Sequence, residues 1–233
     1  MKNLHTLSVH SGVFNDGHGA VMPPIYATST FAQPAPGQHT GYEYSRSGNP
    51  TRHALETAIA ELESGSRGYA FASGLAAVCT VLELLDKDSH LVAVDDVYGG
   101  TWRLLENVRR HSAGLRVSWV KPDDLVALEA AIQPDTRMIW VETPTNPLLK
   151  LADLSAIAAI ARRHNIISVT DNTFASPVIH RPLELGFDIV VHSATKYLNG
   201  HSDVVAGLAV VGDNRELAEK LGYLQNALGG VLD

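Results

Sequence analysis

The sequence has few of the features that mark secreted, membrane-spanning or nucleic-acid-binding proteins. It contains one cysteine in 233 residues, so no internal disulfide can form, and this favours a reducing, cytoplasmic setting. No apolar run is long enough to span a bilayer, and the N-terminus lacks the apolar core of a signal peptide. The formal net charge of −7 gives no indication of a nucleic acid or an anionic membrane as a partner.

Several catalytic fingerprints are also missing. There is no Gly-x-Gly-x-x-Gly after a strand, no Gly-x-x-x-x-Gly-Lys and no Gly-x-Ser-x-Gly, which argues against dinucleotide, P-loop and serine-hydrolase sites. The histidines form no His-x-x-x-His or Glu-x-x-His pair, and one cysteine cannot build a thiolate site, so no metal site is expected. Cys79 lies in an apolar helical pattern and is interpreted as a small buried hydrophobe rather than a nucleophile.

From residue 51 onwards, predicted helices and strands alternate along the chain. Seven short apolar segments predict strands at residues 68–72, 91–94, 115–120, 138–141, 166–170, 187–191 and 208–211. Helical patterns occupy residues 51–63, 73–85, 101–111, 122–132, 153–164 and 214–228, with Ser73, Pro122 and Asp153 at helix starts. This alternation predicts an α/β fold, with a mostly parallel seven-stranded sheet and helices on both faces.

Residues 1–50 are unlike the rest, because they contain several prolines and little sustained periodicity. So long an irregular segment is unusual inside a compact domain, and it predicts either disorder or an arm that packs on something else. The cluster at residues 41–50 has two tyrosines and an arginine among Gly, Asn and Pro, which favours a binding element. We therefore expect an extended N-terminal arm over residues 1–50 and one large domain over residues 51–233.

Polar residues stand at the ends of five predicted strands. They lie at residues 73–75, 96–100, 142–147, 171–173 and 193–196. Ligands of open α/β sheets bind beyond the carboxyl ends of the strands. The convergence of polar groups at these ends predicts an active site there.

Lys196 follows the apolar segment 189–191 and stands beside two hydroxyl residues, Ser193 and Thr195. An amine in this position can form a Schiff base with an aldehyde cofactor, while the hydroxyls hold the phosphate of that cofactor. The alternative is an ordinary solvated lysine at the surface. The hydroxyl neighbours and the nearby Asp171 favour the first interpretation.

The stretch Ser73-Gly74-Leu75 is a second candidate for the phosphate site. A phosphate binds unpaired backbone N–H groups at a helix N-terminus, and glycine lets the backbone approach closely. Ser73 is explained equally well as a plain helix cap, and both interpretations stay open.

Asp171 and Tyr98 are candidates for holding the ring of such a cofactor. A pyridoxal ring acts as an electron sink when its nitrogen is protonated, which calls for a carboxylate held against it. Asp171 ends an apolar strand and can supply this carboxylate, although an aspartate there can also cap a turn. Tyr98, in a loop with glycines, can stack on the ring or pack on the surface.

Six motifs together resemble the Cys/Met-metabolism group of pyridoxal-phosphate-dependent enzymes of fold type I, which includes cystathionine γ-lyase, cystathionine γ-synthase and methionine γ-lyase. They occur in family order over nearly the whole chain, at residues 44–51, 72–77, 96–101, 142–147, 171–174 and 193–203. The resemblance implies the large domain of an aspartate-aminotransferase-like fold and the cofactor pyridoxal 5'-phosphate.

The resemblance also implies roles for individual residues. Lys196 would be the catalytic residue that carries the cofactor and moves protons, assisted by Tyr98, which would stack on the ring. Asp171 would pair with the ring nitrogen, and Asn146 would lie near the phenolic oxygen. The implied cofactor-binding residues are Tyr44, Arg46, Ser73, Gly74, Leu75, Tyr98, Asn146, Asp171, Thr173, Ser193, Thr195 and Lys196.

Tyr44 and Arg46 are implied to reach the phosphate of a neighbouring subunit's cofactor. This would explain the irregular arm, because its binding cluster would serve a partner. The resemblance therefore implies self-association as a homotetramer, a dimer of active-site dimers, with a small-molecule amino-acid substrate.

The expected reaction is γ-elimination on L-cystathionine, giving L-cysteine, 2-oxobutanoate and ammonia, because residues 43–47 and 71–77 resemble the lyases most. Cystathionine γ-synthase is the alternative, and a non-catalytic relative would keep the fold alone. Methionine γ-lyase is disfavoured, since that branch has cysteine where this chain has Gly100. The family also has a smaller C-terminal domain with an arginine for the substrate carboxylate, which we expect to lie beyond residue 233.

Overall fold

The computed structural model describes residues 3–13 and 16–232. A seven-stranded sheet forms the centre of the fold. The strands are β1 Arg67–Phe71, β2 His90–Val94, β3 Arg116–Val120, β4 Thr136–Glu142, β5 Ile167–Asp171, β6 Ile189–Ser193 and β7 Gly207–Val211. Their order across the sheet is β1-β7-β6-β5-β4-β2-β3. Strand β7 runs antiparallel to β1 and β6, and the pairs from β6 to β3 are parallel. The predicted mostly parallel seven-stranded sheet is confirmed.

Nine α-helical segments accompany the strands in the described part of the chain. They are α1 Leu4–His10, α2 Pro50–Leu62, α3 Gly74–Leu82, α4 Gly99–Arg103, α5 Arg110–Ser112, α6 Leu125–Ala130, α7 Leu154–Arg163, α8 Ser176–Ile179 and α9 Arg215–Leu228. The side chains of Asn49, Ser73, Asp153 and Asn214 cap the N-termini of α2, α3, α7 and α9. No helix among the described residues is long and apolar enough to cross a membrane.

The strand residues alternate between two apolar layers, as the pleat of a sheet requires. Ala209 and Val211 of β7 belong to the larger core cluster, which also contains buried residues of α3, α7 and α9. Leu208 and Val210 face the other way and pack with Ile59 of α2. Helices therefore cover both faces of the sheet, as predicted.

The sequence-based boundaries are wrong in two places. Pro122 does not open a helix: α6 begins at Leu125, because the Asp124 side chain accepts a hydrogen bond from the Ala127 N–H and caps it there. The predicted helix 101–111 is a composite, in which a π-helical stretch, Leu104–Arg109, separates α4 from α5. Two short elements, α8 and the 3₁₀ turn Pro182–Leu185, were not predicted at all.

The N-terminal segment contains one helix that the sequence pattern did not indicate. Helix α1 has seven residues and buries one side chain, Leu7, so it carries almost no apolar periodicity. Further along, Thr30 forms an isolated antiparallel bridge with Tyr44, and Asn49 donates a hydrogen bond to the Tyr26 carbonyl. The second half of the segment thus folds back against the start of α2.

Candidate active site

A cavity of about 300 Å³ lies at the carboxyl ends of β4, β5 and β6, next to the N-terminus of α3. Ten residues singled out from the sequence line it: Ser73, Gly74, Leu75, Tyr98, Asn146, Asp171, Thr173, Ser193, Thr195 and Lys196. They come from five separate stretches of the chain. The fold therefore brings together the strand-end groups that the sequence predicted to converge.

The N-terminus of α3 forms one wall of the cavity and offers free hydrogen-bond donors. The Ser73 side chain accepts a hydrogen bond from the Ala76 N–H at 3.1 Å, so its capping role is confirmed. The N–H groups of Gly74 and Leu75 have no acceptor among the described residues. Unpaired N–H groups at the start of a helix attract an anion.

Gly74 lies directly against the end of β6. A Cβ at position 74 would approach the Ser193 Cβ to 2.9 Å and the Ser193 Cα to 3.0 Å. The Ser193 hydroxyl makes no hydrogen bond within the described chain, so it is available beside the free amides. The Thr195 hydroxyl, by contrast, is hydrogen-bonded to the Ala206 backbone.

Asp171 ends β5 and is nine-tenths buried. Burial raises the pKa of its carboxyl, and the hydroxyl and N–H of Thr173 and the charge of His192 act in the opposite direction. The Thr173 N–H donates to Asp171 Oδ1 at 3.0 Å, and the Thr173 hydroxyl accepts from the Ser193 N–H at 2.8 Å. Thr173 thus joins the ends of β5 and β6.

Glu142, the last residue of β4, is a cavity residue to which the sequence gave no role. It pairs with Asp171 across the sheet and is 5% exposed. Burial and the Asp171 carboxylate raise the pKa of Glu142 to about 8, while the backbone N–H groups of Tyr98 and Asn146 oppose this rise. Sequence inspection places a glutamate at a strand end, but it does not show that two buried carboxyls become neighbours.

Lys196 lies in the turn after β6, where its N–H donates to the Ser193 carbonyl at 3.2 Å. Its side chain is exposed at the cavity, and Nζ forms no hydrogen bond or ion pair with any residue the structure describes. The amine is therefore accessible to a ligand that enters the cavity.

Tyr98 stands at the start of α4 and is 47% exposed. Its ring lies over Gly100, where a Cβ would come within 2.4 Å of the Tyr98 Cε1. The absence of a side chain at position 100 therefore leaves room for this ring at the cavity.

Tyr44 and Arg46 do not line this cavity. They border a second, larger cavity of about 810 Å³, and no residue that the structure describes lines both cavities. Arg46 donates from one terminal nitrogen to the carbonyl and side-chain oxygens of Asn226, at 2.6 and 2.9 Å, and its guanidinium lies over the Tyr44 ring. Both side chains are exposed.

The far face of the sheet supports the site through a buried polar cluster. Glu63, at the end of α2, accepts hydrogen bonds from His192 Nε2 at 2.6 Å and from Asn172 Nδ2 at 2.8 Å. Asn172 follows Asp171, and His192 precedes Ser193, so the cluster anchors two strand ends from behind. The sequence did not indicate this cluster, since Glu63 is more than one hundred residues from both of its partners.

The cavity combines features that suit a flat, phosphate-bearing ligand. One end has free N–H groups and the Ser193 hydroxyl, and another has the buried carboxyl of Asp171. The amine of Lys196 and the ring of Tyr98 lie at the same cavity. An anion, a cationic ring atom and an aldehyde would each meet a complementary group.

Comparison with known proteins agrees with these features. The family model described as "Cys/Met metabolism PLP-dependent enzyme" matches residues 5–233. A cystathionine beta-lyase of Coxiella burnetii is 60% identical over 230 residues, which cover 98% of this chain and 59% of that protein. A cystathionine gamma-lyase of Bacillus subtilis is 52% identical, with 97% of this chain and 60% of that protein covered.

A third relative is named as a synthase rather than a lyase. A probable cystathionine gamma-synthase of Herpetosiphon aurantiacus is 52% identical over 97% of this chain and 70% of that protein. Among solved structures, cystathionine gamma-lyase from Lactobacillus plantarum complexed with L-serine superposes with a TM-score of 0.96 at 52% identity, covering 99% of this chain and 60% of that one. This chain thus spans about six tenths of the length of the first relatives. The family match and these identities show that the chain belongs to the Cys/Met metabolism family of pyridoxal-phosphate-dependent enzymes.

Proposed function

We propose that the protein is a pyridoxal-phosphate-dependent carbon–sulfur lyase that acts on L-cystathionine by γ-elimination and gives L-cysteine, 2-oxobutanoate and ammonia. The observation that supports this proposal is the convergence of ten predicted residues on one cavity, with an accessible amine, a buried carboxyl and free backbone N–H groups. The names of the relatives support the substrate, since the two cystathionine lyases and the probable cystathionine synthase described above are 52–60% identical to this chain.

Pyridoxal phosphate, when bound, supplies an aldehyde that reacts with amines and a ring that accepts the electron pair left at the substrate's Cα. In the proposed arrangement, the N–H groups of Gly74 and Leu75 bind its phosphate together with the Ser193 hydroxyl. Ser73 and Thr195, which line the same cavity, would border that phosphate. A charged phosphate at a helix N-terminus is stabilised by the free donors and by the helix dipole.

Asp171, Thr173 and Asn146 would orient the ring. The Asp171 carboxylate would accept a hydrogen bond from the protonated ring nitrogen, which would offset the cost of burying the carboxylate. The Thr173 N–H holds that carboxylate in place. Asn146 would donate to the phenolic oxygen. Tyr98 would cover the ring face and exclude water from it.

Lys196 would move the protons of the reaction. Its Nζ would take the proton from the substrate's Cα and give it up to the carbon that the cofactor aldehyde supplies. Neutral again, it would take a proton from Cβ, which allows the Cγ–S bond to break. The Tyr98 hydroxyl would deliver a proton to the departing sulfur. Both groups border the cavity, so each can reach a substrate held there.

A second candidate is β-elimination on the same substrate, which the 60% identity to a relative named cystathionine beta-lyase favours. It would break the bond between sulfur and the Cβ of the other half of cystathionine, and give homocysteine, pyruvate and ammonia. Cystathionine γ-synthase is the third outcome, and it would join cysteine to an O-acyl-homoserine. Methionine γ-lyase stays disfavoured.

Product analysis separates these reactions. The purified protein with added pyridoxal phosphate is incubated with L-cystathionine, or with an O-acyl-homoserine plus cysteine, and the 2-oxo acid and thiol are identified. The proposal predicts 2-oxobutanoate with cysteine from cystathionine. Pyruvate with homocysteine from cystathionine would contradict the γ-lyase proposal and identify a β-lyase. Cystathionine formed from the second mixture would identify a synthase.

We further propose that Tyr44 and Arg46 serve the cavity of a second copy of the chain, within a homotetramer. Their exposure and their separate cavity support this arrangement. Mixing inactive Arg46→Ala and Lys196→Ala proteins should restore up to about a quarter of the sites, because half of randomly mixed dimers are hybrids with one intact site each. No recovery on mixing, with hybrids present by mass, would contradict the proposal.

The proposed compartment is the cytoplasm. Cys79 is the one cysteine of the sequence, and burial raises the pKa of its thiol, so neither a disulfide nor a reactive thiolate is expected. Fractionation of cells that produce the protein tests this assignment. Recovery of the protein outside the cytoplasm would contradict it.

A further inference from the structure

Two loops border the cavity on the side of Tyr98 and Asn146. The β2 loop comprises residues 95–98, which follow β2, and the β4 loop comprises residues 143–150, which follow β4. Since β2 and β4 are neighbours in the sheet, the two loops leave it side by side. Tyr98 lies in the first loop and Asn146 in the second, and both side chains face the cavity.

Each loop is held by a carboxylate from the other strand. Glu142, at the end of β4, accepts a hydrogen bond from the Tyr98 N–H of the β2 loop at 2.8 Å. Asp96, just after β2, accepts from the Thr145 hydroxyl at 2.5 Å and from the Leu148 N–H at 3.2 Å, both in the β4 loop. The two carboxylates therefore form a reciprocal brace.

This brace is costly, which argues that it has a use beyond local folding. Glu142 is 5% exposed, Asp96 is 9% exposed, and the Asp96 charge acts on Glu142. Two buried carboxyls of like charge disfavour each other, whereas neutral amide or hydroxyl side chains could join two loops without that repulsion. Asp96, however, accepts two hydrogen bonds from the β4 loop through one oxygen, and a carboxylate forms shorter and stronger hydrogen bonds than a neutral acceptor.

The Tyr98 ring is also restrained on its other side. It packs on Gly100 and lies close to Leu75, whose Cδ1 would be 3.1 Å from a Cβ at position 100. The hydrogen bond to Glu142 fixes the backbone of Tyr98, and the missing side chain at Gly100 leaves the space that the Tyr98 ring occupies. Neither restraint requires a bound ligand.

We propose that Asp96 is a positioning residue which, through Thr145 and Leu148, locks the β4 loop to the β2 loop and so sets the spacing between Tyr98 and Asn146 across the cavity. Glu142 completes the brace from the other strand. The functional consequence of this inference rests on the proposed roles of Tyr98 and Asn146, whereas the brace itself is a property of the protein without cofactor.

The test compares two neighbouring threonines of the β4 loop. Both residues are buried, and each hydroxyl accepts a hydrogen bond from a backbone N–H further along the chain, Thr145 from Lys150 at 2.8 Å and Thr143 from Ala152 at 3.1 Å. Only the Thr145 hydroxyl also reaches across to Asp96. Thr145→Val therefore removes the one side-chain hydrogen bond of the brace that Thr145 makes to Asp96, and Thr143→Val is the matched control.

Hydrogen exchange of the cofactor-free protein measures the brace directly. In Thr145→Val we expect exchange at the Leu148 and Tyr98 amides to accelerate by about fivefold or more, the order expected for one lost buried hydrogen bond. In Thr143→Val these two amides should exchange as in the wild type. Equal exchange at Tyr98 in both variants would overturn the proposal.

Functional measurements then test the consequence. The circular dichroism of bound pyridoxal phosphate, and kcat, should change in Thr145→Val and not in Thr143→Val, even where both variants lose similar thermal stability. Should Thr145→Val fail to fold, Asp96→Asn replaces it, because the amide keeps the shape and loses the charge. If the wild type binds no pyridoxal phosphate, the proposed function is contradicted. The hydrogen-exchange comparison of the cofactor-free variants would still test whether Asp96 holds the two loops together.

Discussion

Replacing Glu142 by glutamine should change how the stability of the cofactor-free protein depends on pH. Burial, reinforced by the Asp171 carboxylate, raises the pKa of Glu142 from 4.5 to about 8 in the folded protein. In the unfolded chain the group is solvated and titrates near its ordinary value. Between these two values the unfolded state releases a proton that the folded state keeps. Stability therefore falls as the pH rises from about 4.5 to about 8.

The size of this effect follows from the same pKa values. A rise from 4.5 to about 8 corresponds to at most about 5 kcal/mol, at about 1.4 kcal/mol per pKa unit. Part of that rise is shared with Asp171, which keeps its own carboxyl in both proteins. We therefore expect the wild type to lose about 2–5 kcal/mol relative to Glu142→Gln across this pH range.

Urea denaturation of the cofactor-free proteins at pH 5, 6, 7 and 8, in steps of about one pH unit, measures this difference. Glu184→Gln is the control, since Glu184 accepts hydrogen bonds from Ser64 and Arg181, which hold its pKa below the ordinary value. The stability that Glu184 contributes is therefore fully present above the ordinary pKa of a glutamate, and it is lost only as the pH falls below that pKa. If the free energy of unfolding of the wild type changes with pH in the same way as that of Glu142→Gln, the raised pKa assigned to Glu142 is refuted.

Two further substitutions test the supports of the cavity. Glu63→Ala leaves the fully buried His192 without its acceptor, and should cost about 3–5 kcal/mol in urea denaturation, whereas Glu63→Gln keeps an oxygen there and should cost less. Gly74→Ala places a Cβ 2.9 Å from the Ser193 Cβ and should weaken pyridoxal phosphate binding at least about tenfold in a fluorescence titration. Gly99→Ala, where a Cβ meets nothing within 4 Å, is its control, and equal affinities in the two variants would contradict the assigned phosphate site.

The fold was largely predictable because its strands are short, buried and separated by clear helical patterns. All seven predicted strands are present, and no boundary differs by more than two residues from the prediction. The misses occur where local pattern is weak: α1 buries a single residue, and α6 starts at the Asp124 cap rather than at Pro122. A proline in a turn and a proline in the first turn of a helix favour the same backbone φ angle. The local sequence therefore does not show which of the two Pro122 is.

The cavity was predictable in part, since parallel strand ends meet at one edge of a sheet. Lys196, Asp171 and Tyr98 could be placed there from their positions after predicted strands. The pairing of Glu142 with Asp171, and the hold of Glu63 on His192, depend on strand order and on the packing of α2. Strand order is not encoded in any local pattern, so these contacts required the structure.

The central claim is that the Lys196 amine binds the cofactor aldehyde. The most direct measurement is borohydride reduction of the protein with pyridoxal phosphate, followed by peptide mapping, which finds the residue that carries the cofactor. We expect the cofactor on the peptide that contains Lys196, and none on the protein after Lys196→Ala. Attachment at another lysine such as Lys150, or unchanged attachment in Lys196→Ala, would contradict the account.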